Sequence, residues 1–417
     1  MKKIAIIGSG ISGLTCAYLL DKTHQITVFE KNDYVGGHTA TVDIEHQGQT
    51  YAIDTGFIVF NDRTYPYFNR LLERLGIAGQ DTEMSFSVHN AQTGFEYNGH
   101  GINALFAQRR NLFSLKFWRL IGEILKFNRL CKRDFYAGNI NPDANLGHFL
   151  RQHQFSDFFC QHYILPMGAA IWSTSLSDMK QFELKFFIQF FYHHGLLNIS
   201  DRPQWKVVPK GSRSYVEAIL AALTKPVQTS VDIGSVSRIE DGVLIHFDNG
   251  QSQRFDEVIF ACHSDEALGL LADPSLDESR ILSSIPYSPN EVVLHTDVSV
   301  LPDRKLAWAS WNYHLDDSQF RPASVTYNMN ILQNIQSDTT FCVTLNQGDK
   351  IDPTQVLRRF VYHHPVLNEV SVAAQQERSL ICGKRACHFV GAYWYSGFHE
   401  DGVRSALDVT RRFGQSL

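Results

Sequence analysis

Long apolar runs are missing from this sequence. Nowhere do about 18 uninterrupted apolar residues occur, the length that a membrane-spanning helix requires, so no transmembrane span is expected. The first twenty residues, MKKIAIIGSGISGLTCAYLL, start like a secretion signal. Three glycines break the apolar stretch and no small-residue cleavage site follows it, so the segment reads as part of the fold. The seven cysteines, at 16, 131, 160, 262, 342, 382 and 387, contain no C-x-x-C pair. An odd count without a framework points to reduced thiols in a cytoplasmic protein, with Cys382 and Cys387 as core thiols. The His193-His194 pair lacks acidic or cysteine partners at ligand spacing, so no metal site is expected. A strong charge of one sign is absent too. The formal net charge is -5, and no global basic field favours nucleic acid. No Gly/Ser linker or repeat interrupts the 417 residues, which suits a compact two-domain body.

What is present begins at the third residue. Lys3 to Ile7 read as a buried parallel strand, and Gly8, Gly10 and Gly13 follow as G-x-G-x-x-G. Ile11 to Leu20 continue as a helix, Gln25 to Phe29 form a second strand, and Glu30 stands at its end. Gly8 permits the tight turn, Gly10 lets backbone approach a pyrophosphate, and Gly13 lets helix and strand pack closely. The helix start, at Ile11 and Ser12, offers free N–H groups and a positive dipole end. Glu30 can accept hydrogen bonds from ribose hydroxyls, with Lys31 beside it. Strand, glycines, helix, strand and acid occur in the order that a dinucleotide-binding βαβ unit needs, and NAD and FAD both satisfy it.

A second glycine doublet, Gly36-Gly37, followed by His38 and Thr39, brings another backbone segment to the same dinucleotide. This arrangement resembles the FAD-containing amine oxidase superfamily, which includes monoamine and polyamine oxidases, protoporphyrinogen oxidase and phytoene desaturases. That family usually has Arg where this chain has His38, which can still donate to a phosphate or flavin edge. The resemblance implies an α/β fold: a Rossmann-like FAD-binding domain carrying a discontinuous α+β substrate domain. Asp54-Thr55-Gly56-Phe57 looks like the family's turn beneath the flavin, so Thr55, Gly56 and Phe57 join the implied cofactor set. Residues 227–261 read as alternating strands with turns at Asp241-Gly242 and Asn249-Gly250. They resemble the family's returning hairpin, in which Val236 would meet the adenine and Ala261 would end the last strand. The run 389–402 resembles the strand and helix start that carry the flavin ring, which implicates Gly391, Trp394, Glu400, Asp401, Gly402 and Val403. FAD is the cofactor this implies, bound by segments 1–75, 205–265 and 385–417, with 76–204 and 266–384 forming the substrate domain.

Four stretches, FNDRTYPYFNRLLERLGI (60–77), LPMGAAIWS (165–173), PYSPNEVVLHTD (286–297) and GFHEDG (397–402), resemble a bacterial subgroup of FAD-dependent oxidoreductases. Its members are often encoded beside methyltransferases of the cyclopropane-fatty-acid-synthase type, and some are implicated in desaturating membrane fatty acyl chains. The resemblance implies a lipid or fatty acyl substrate and a lipid methyltransferase as partner.

In the middle of the chain, residues 109–135 carry the strongest helical pattern. Phe113, Phe117, Leu120, Ile121, Ile124 and Phe127 share one face, opposite Lys116, Arg119, Lys126, Arg129 and Arg133. Such a basic amphipathic helix either lies in a membrane interface, at the inner face for a cytoplasmic protein, or packs its apolar face inward. Phe182 to Leu197 are densely aromatic and either wall an apolar tunnel or fill ordinary core.

In such a flavoenzyme the cofactor accepts a hydride at N5 while the protein positions the reacting carbon and excludes water. Tyr393, Tyr395, His399 and Glu400 fall where the family places residues around the flavin. His399 or Glu400 can serve as base, and Glu400 can equally cap a helix. Asn61, Trp172, Tyr192 and Lys305 are further candidates. Three functions stay open: a lipid acyl desaturase or dehydrogenase, an amine oxidase caging its substrate with Tyr393 and Tyr395, and a non-catalytic flavin-binding partner of a methyltransferase.

Overall fold

A computed structural model describes all residues except 142, 316–319 and 321. Four parallel strands form the sheet that begins the chain, in the order Cys387–Phe389, Glu257–Phe260, Lys3–Ile7 and Gln25–Phe29. Lys3–Ile7 is apolar without alternation because both its faces are covered, and everything after Lys3 is buried. The helix Ile11–Leu20 is buried nearly all round for the same reason. The sheet lies on one side of it, and the helix His399–Thr410 packs along it on the other. Ile233–Ile239, Gly242–Phe247 and Ser252–Phe255 make the expected antiparallel meander. Its first turn needs glycine: at Gly242 φ is +129, and a Cβ would come within 2.2 Å of the Phe255 carbonyl.

The second sheet has seven strands, in the order Val356–Pro365, Tyr287–His295, Cys342–Leu345, Val325–Asn328, Trp311–Leu315, Phe86–Asn90 and Phe95–Asn98. All its neighbours are antiparallel except Trp311–Leu315 against Phe86–Asn90. Its apolar face shares one core with the helices Leu115–Ala137, Leu146–Gln152, Leu165–Trp172 and Leu184–His193. A small sheet of Val59–Asn61, Trp205–Val207 and Gln80–Thr82 ties the two halves together.

The nucleotide-side core reaches further than the expected joins at 265 and 385. Ala267, Ile281, Leu282, Ile285, Ala374 and Cys382 pack into it from the helices Ser264–Leu270, Leu276–Ser283 and Glu369–Gln376 and their flanks.

The segment 109–135 is not one helix. Arg109–Phe113 is a separate 3-10 turn, and the α-helix starts only at Leu115 because the Ser114 hydroxyl caps it by accepting from the Phe117 N–H. Phe117, Leu120 and Phe127 are buried, with Ile121 and Ile124 packed beside them. The apolar face therefore points inward, whereas Phe113 is 90% exposed. No helix among the described residues is long and apolar enough to cross a membrane, and all seven cysteines are free thiols.

Candidate functional site

The glycine turn shows three different tolerances. A Cβ on Gly8 would sit 2.7 Å from the Ala261 carbonyl, and one on Gly13 would sit 2.1 Å from the Gly8 carbonyl. These two glycines exist so that strand, turn and helix can touch, with Ala261 as the backing wall. Gly10 differs, because a Cβ there would meet nothing within 4 Å. It is the N-cap of Ile11–Leu20 and brings no capping side chain, so no side chain satisfies the first-turn N–H groups from that position. Gly37 lies just beyond, where a Cβ would come within 3.2 Å of the Gly10 Cα.

A second helix start meets the first. At Gly402 a Cβ would lie 2.6 Å from Ile11 Cγ2, so glycine lets His399–Thr410 close onto Ile11–Leu20 at both N-termini. Two positive dipole ends thus converge. Ser12 and Val403 are buried at this contact. Asp401 Oδ2 accepts from the Phe398 N–H at 3.0 Å, and burial pushes its carboxyl up to about 6.

Glu30 is buried at the end of its strand, with all four of its carboxylate bonds local. Oε2 accepts from the Ser9 N–H (2.9 Å) and hydroxyl (2.6 Å), and Oε1 from the Asn32 N–H (2.9 Å) and side-chain amide (3.0 Å). Lys31 beside it is exposed. The neighbouring chain is 228–231: Glu30 N–H donates to the Gln228 carbonyl and Val231 N–H to the Glu30 carbonyl. Val236, expected near the adenine, is buried in the meander instead, its carbonyl engaged by the Ala272 N–H.

From the glycine doublet the chain returns under the two helix starts. Phe57 N–H donates to the His38 carbonyl, and a Cβ on Gly56 would overlap that same carbonyl at 2.1 Å. The Phe57 ring stacks on His399 with centroids 3.7 Å apart. His399 Nε2 pairs with the Tyr215 hydroxyl at 2.8 Å, which in turn pairs with Thr39. The Thr55 hydroxyl pairs with Tyr362 at 2.9 Å, and Tyr362 flanks His38. His364 and His263 also stand around His38, with centroids 5.7 and 6.2 Å away. Burial first, then the neighbouring histidines, pull His38 down to about 3, and burial does the same to His399. Both rings are therefore neutral at pH 7. His38 carries no fixed charge where the resembled family has Arg, and its buried Nε2 has no partner.

The remaining candidates separate. Both Glu400 oxygens are held by backbone, accepting from the N–H groups of Tyr67 (2.9 Å) and Phe68 (2.8 Å). Glu400 thus caps the helix Pro66–Arg74 rather than its own, and burial raises it to about 7. Tyr393 and Trp394 are buried in the nucleotide-side core with OH and Nε1 unpaired. Tyr395 donates to Asp408 Oδ2 at 2.5 Å and lies under Arg404. Gly391 N–H donates to the Ser405 hydroxyl at 2.9 Å. Asn61 orders its own turn by accepting from the N–H groups of Arg63 and Thr64. Lys305 sits over the Trp308 ring, in a turn packed against the far edge strand Phe95–Asn98. Tyr192 pairs with the Tyr136 hydroxyl. Trp172 stands among Phe182, Phe186, Phe187 and Phe190. Where no metal site was expected, His89, Glu96 and Asp303 come within 4.8 Å of one another, with Arg304 already paired to Glu96. His194 lies apart from these, stacked on Phe190 and held neutral by burial, at about 4.

The residues present fit a dinucleotide. Open backbone at Gly10 and two convergent helix starts suit a pyrophosphate and an electron-rich ring, Glu30 suits a ribose, and the orphaned His38 Nε2 suits a polar edge. Fold and site thus define a dinucleotide-binding protein whose parallel sheet adjoins a second, aromatic-rich core. Residues 11–341 match the family model of flavin containing amine oxidoreductases. The chain belongs to that family, and FAD is its cofactor.

Among curated relatives, a 1-hydroxycarotenoid 3,4-desaturase from Flavobacterium sp. (strain P99-3) is 38% identical over 98 residues, 23% of this chain and 18% of that protein. An L-amino-acid oxidase of Siganus canaliculatus is 20% identical over 329 residues, 70% of this chain and 56% of that protein. The chain thus spans little more than half, at most, of the length of these relatives. The crystal structure of a CLA-producing fatty acid isomerase from P. acnes shares the fold, with a TM-score of 0.70, 15% identity, and coverage of 99% of this chain and 98% of that one.

Proposed function

We propose that this protein is an FAD-dependent dehydrogenase that desaturates a lipid or fatty acyl chain held at the membrane surface. The observation that carries this reading is a run of ring contacts from the flavin-side helix start into the substrate-side core. Phe398, the N-cap of His399–Thr410, stacks on Phe190 at 4.9 Å, Phe190 meets Trp172 at 4.8 Å, and Trp172 meets Phe182 at 4.5 Å. Apart from the unpartnered Trp172 Nε1 these rings are apolar, with His194 neutral beside them, and they suit an acyl chain better than an ammonium ion. The cage that an amine needs is not assembled from the expected pair, since Tyr395 turns to Asp408 and Tyr393 packs against Tyr287. The likeness to a desaturase and to a fatty acid isomerase supports the same reading.

When bound, FAD supplies the two-electron acceptor. The chain's own residues hold it and shape the site around it. Amides at Gly10, Ile11 and Ser12 would take the pyrophosphate, and Glu30 would take the ribose by exchanging its Asn32 bonds for the hydroxyls. Neutral His38 offers an N–H without charge, and Tyr215 and Thr39 orient the His399 ring. The aromatic wall excludes water and lines up the acyl carbon. Glu400 is read as a cap rather than a base, because the Tyr67 and Phe68 amides fix its two oxygens against the start of Pro66–Arg74.

The second reading, an amine oxidase, draws support from the L-amino-acid oxidase match over 70% of the chain. Anaerobic mixing with phospholipid, and separately with a panel of amines, decides between them by following the flavin band near about 450 nm. Bleaching by lipid alone is expected. Bleaching by amines alone overturns the proposal, and bleaching by neither leaves a flavin-binding partner of a lipid methyltransferase as the better reading.

A further inference from the structure

We propose that the end of the substrate-side domain built from Ile102, Leu112, Phe113, Leu115 and Trp118 docks onto an anionic lipid bilayer. The proposal rests on the lipid reading above and names where that lipid is met. Phe113, Leu115 and Ile102 are 90%, 87% and 81% exposed, and Trp118 and Leu112 are also exposed. Single exposed apolar side chains are ordinary, but a cluster of large ones marks a contact surface.

These side chains belong to one small unit. Trp118 Nε1 donates to the Leu112 carbonyl at 2.9 Å, Trp118 packs against Phe106 at 5.4 Å, and Arg109 reaches Asn103 beside Ile102 at 2.6 Å. The break at Ser114 creates the unit by separating the 3-10 turn Arg109–Phe113 from the helix Leu115–Ala137. The inward face of that helix is already filled by Phe117, Leu120 and Phe127, so the exposed rings at its start are surplus to the core.

Charge selects the occupant. From 97 to 122 the sequence contains no Asp or Glu, while Arg109, Arg110, Lys116 and Arg119 all fall within it. Of these, Arg119 alone forms an ion pair, with Glu123, among the described residues. The helix N-terminus at Leu115 adds a positive dipole end. Aromatic and aliphatic side chains ringed by cations match the boundary between anionic headgroups and acyl chains. The same helix connects tip and wall: Phe127, about 18 Å along the axis from Leu115, packs edge-on against Phe187.

The test is co-sedimentation of the FAD-loaded protein with phosphatidylcholine vesicles, with and without phosphatidylglycerol. Binding is expected only with phosphatidylglycerol and should weaken with salt. Phe113→Ser with Leu115→Ser, and separately Arg109→Glu with Arg110→Glu and Lys116→Glu, should each lower vesicle binding on the order of tenfold. Lys22→Glu with Lys225→Glu, on the nucleotide side, should leave it unchanged, and flavin content confirms that every variant is folded. Failure to sediment with phosphatidylglycerol vesicles, or sedimentation indifferent to the tip variants, overturns the proposal. A change of oligomeric state in the tip variants without loss of vesicle binding assigns the patch to a second copy and overturns it too. Because these vesicles report binding alone, a protein that binds them yet shows no flavin bleaching by dispersed phospholipid loses the acyl-dehydrogenase reading while keeping the docking surface.

Discussion

The nucleotide side and the substrate side are specified in opposite ways. Around the dinucleotide the sequence works by leaving atoms out, since Gly8, Gly13, Gly56 and Gly402 let backbone and helices meet at distances that a methyl group would forbid. On the substrate side it works by putting atoms in, as Phe127, Phe159, Phe187 and Phe191 fill a fully buried aromatic core. The first kind of site is fragile to addition and the second to removal. A cofactor needs bare backbone at fixed places, whereas an aromatic core needs bulk whose outline can vary.

The largest effects should come from adding carbon on the nucleotide side, and they should split. Gly13→Val puts side-chain atoms into the Gly8 carbonyl and should yield no folded flavoprotein. Gly10→Val has open space and should leave the apoprotein's melting temperature nearly unchanged while abolishing FAD retention. Flavin absorbance per chain, beside apoprotein melts, reads both. A yellow Gly10→Val protein would contradict the proposed pyrophosphate site, and an unfolded one would erase the contrast between the two glycines.

Removing carbon on the substrate side comes next. Phe187 is fully buried between Phe127, Trp172 and Phe191. Phe187→Ala should cost about 3–5 kcal/mol of stability in denaturant titrations, as large aromatic deletions do. Its flavin affinity should stay close to the parent's. Equal loss of both would mean that the two halves do not divide the work as argued.

That division also explains what could be read before the fold was seen. The glycine turn, helix and Glu30 lie within one short stretch, and each residue type has a local mechanical reason. What stayed hidden was long-range. Glu400 bonds amides more than 300 positions away, Tyr215 closes on Thr39 and His399, and 228–231 rather than Val236 runs beside Glu30. No spacing or periodicity signals such pairings. The helical pattern of 109–135 misled for a related reason. Counting at 100° per residue runs straight across the Ser114 cap, so it put Phe113 on a face that the chain leaves at that residue.

A smaller effect, on pH, separates the halves by their titrating groups. Burial holds His38 and His399 at about 3 and His364, His194, His162 and His295 at about 4. Unfolded histidine protonates near about 6.5, so below that pH the unfolded chain binds more protons and stability falls as acid is added. Asp54 and Asp401, raised to about 6, and Glu400, raised to about 7, oppose this by taking up protons in the folded state first. Six histidines against three carboxylates predict a melting temperature that falls between pH 6.5 and 4. His194→Phe should flatten that decline by at most about 1.4 kcal/mol per pH unit, and an unchanged slope would remove His194 from the account.

The smallest effect sharpens the comparison most, because Glu400 sits where the halves could be confused. A cap and a base predict different losses. As a cap for Pro66–Arg74, Glu400 can be replaced by Gln, whose amide oxygen still accepts from one of the Tyr67 and Phe68 N–H groups. Glu400→Gln should then cost about 1 kcal/mol and Glu400→Ala about 2 kcal/mol in unfolding experiments. Flavin content and the rate of anaerobic flavin reduction should change less than about threefold in either variant. A general base predicts the reverse order of magnitude, with reduction slowed by about 10²–10⁴ in Glu400→Gln while stability barely moves. Rate and stability measured on the same two variants thus place Glu400 either in the scaffold that holds the C-terminal helix against Pro66–Arg74 or in the chemistry beside it.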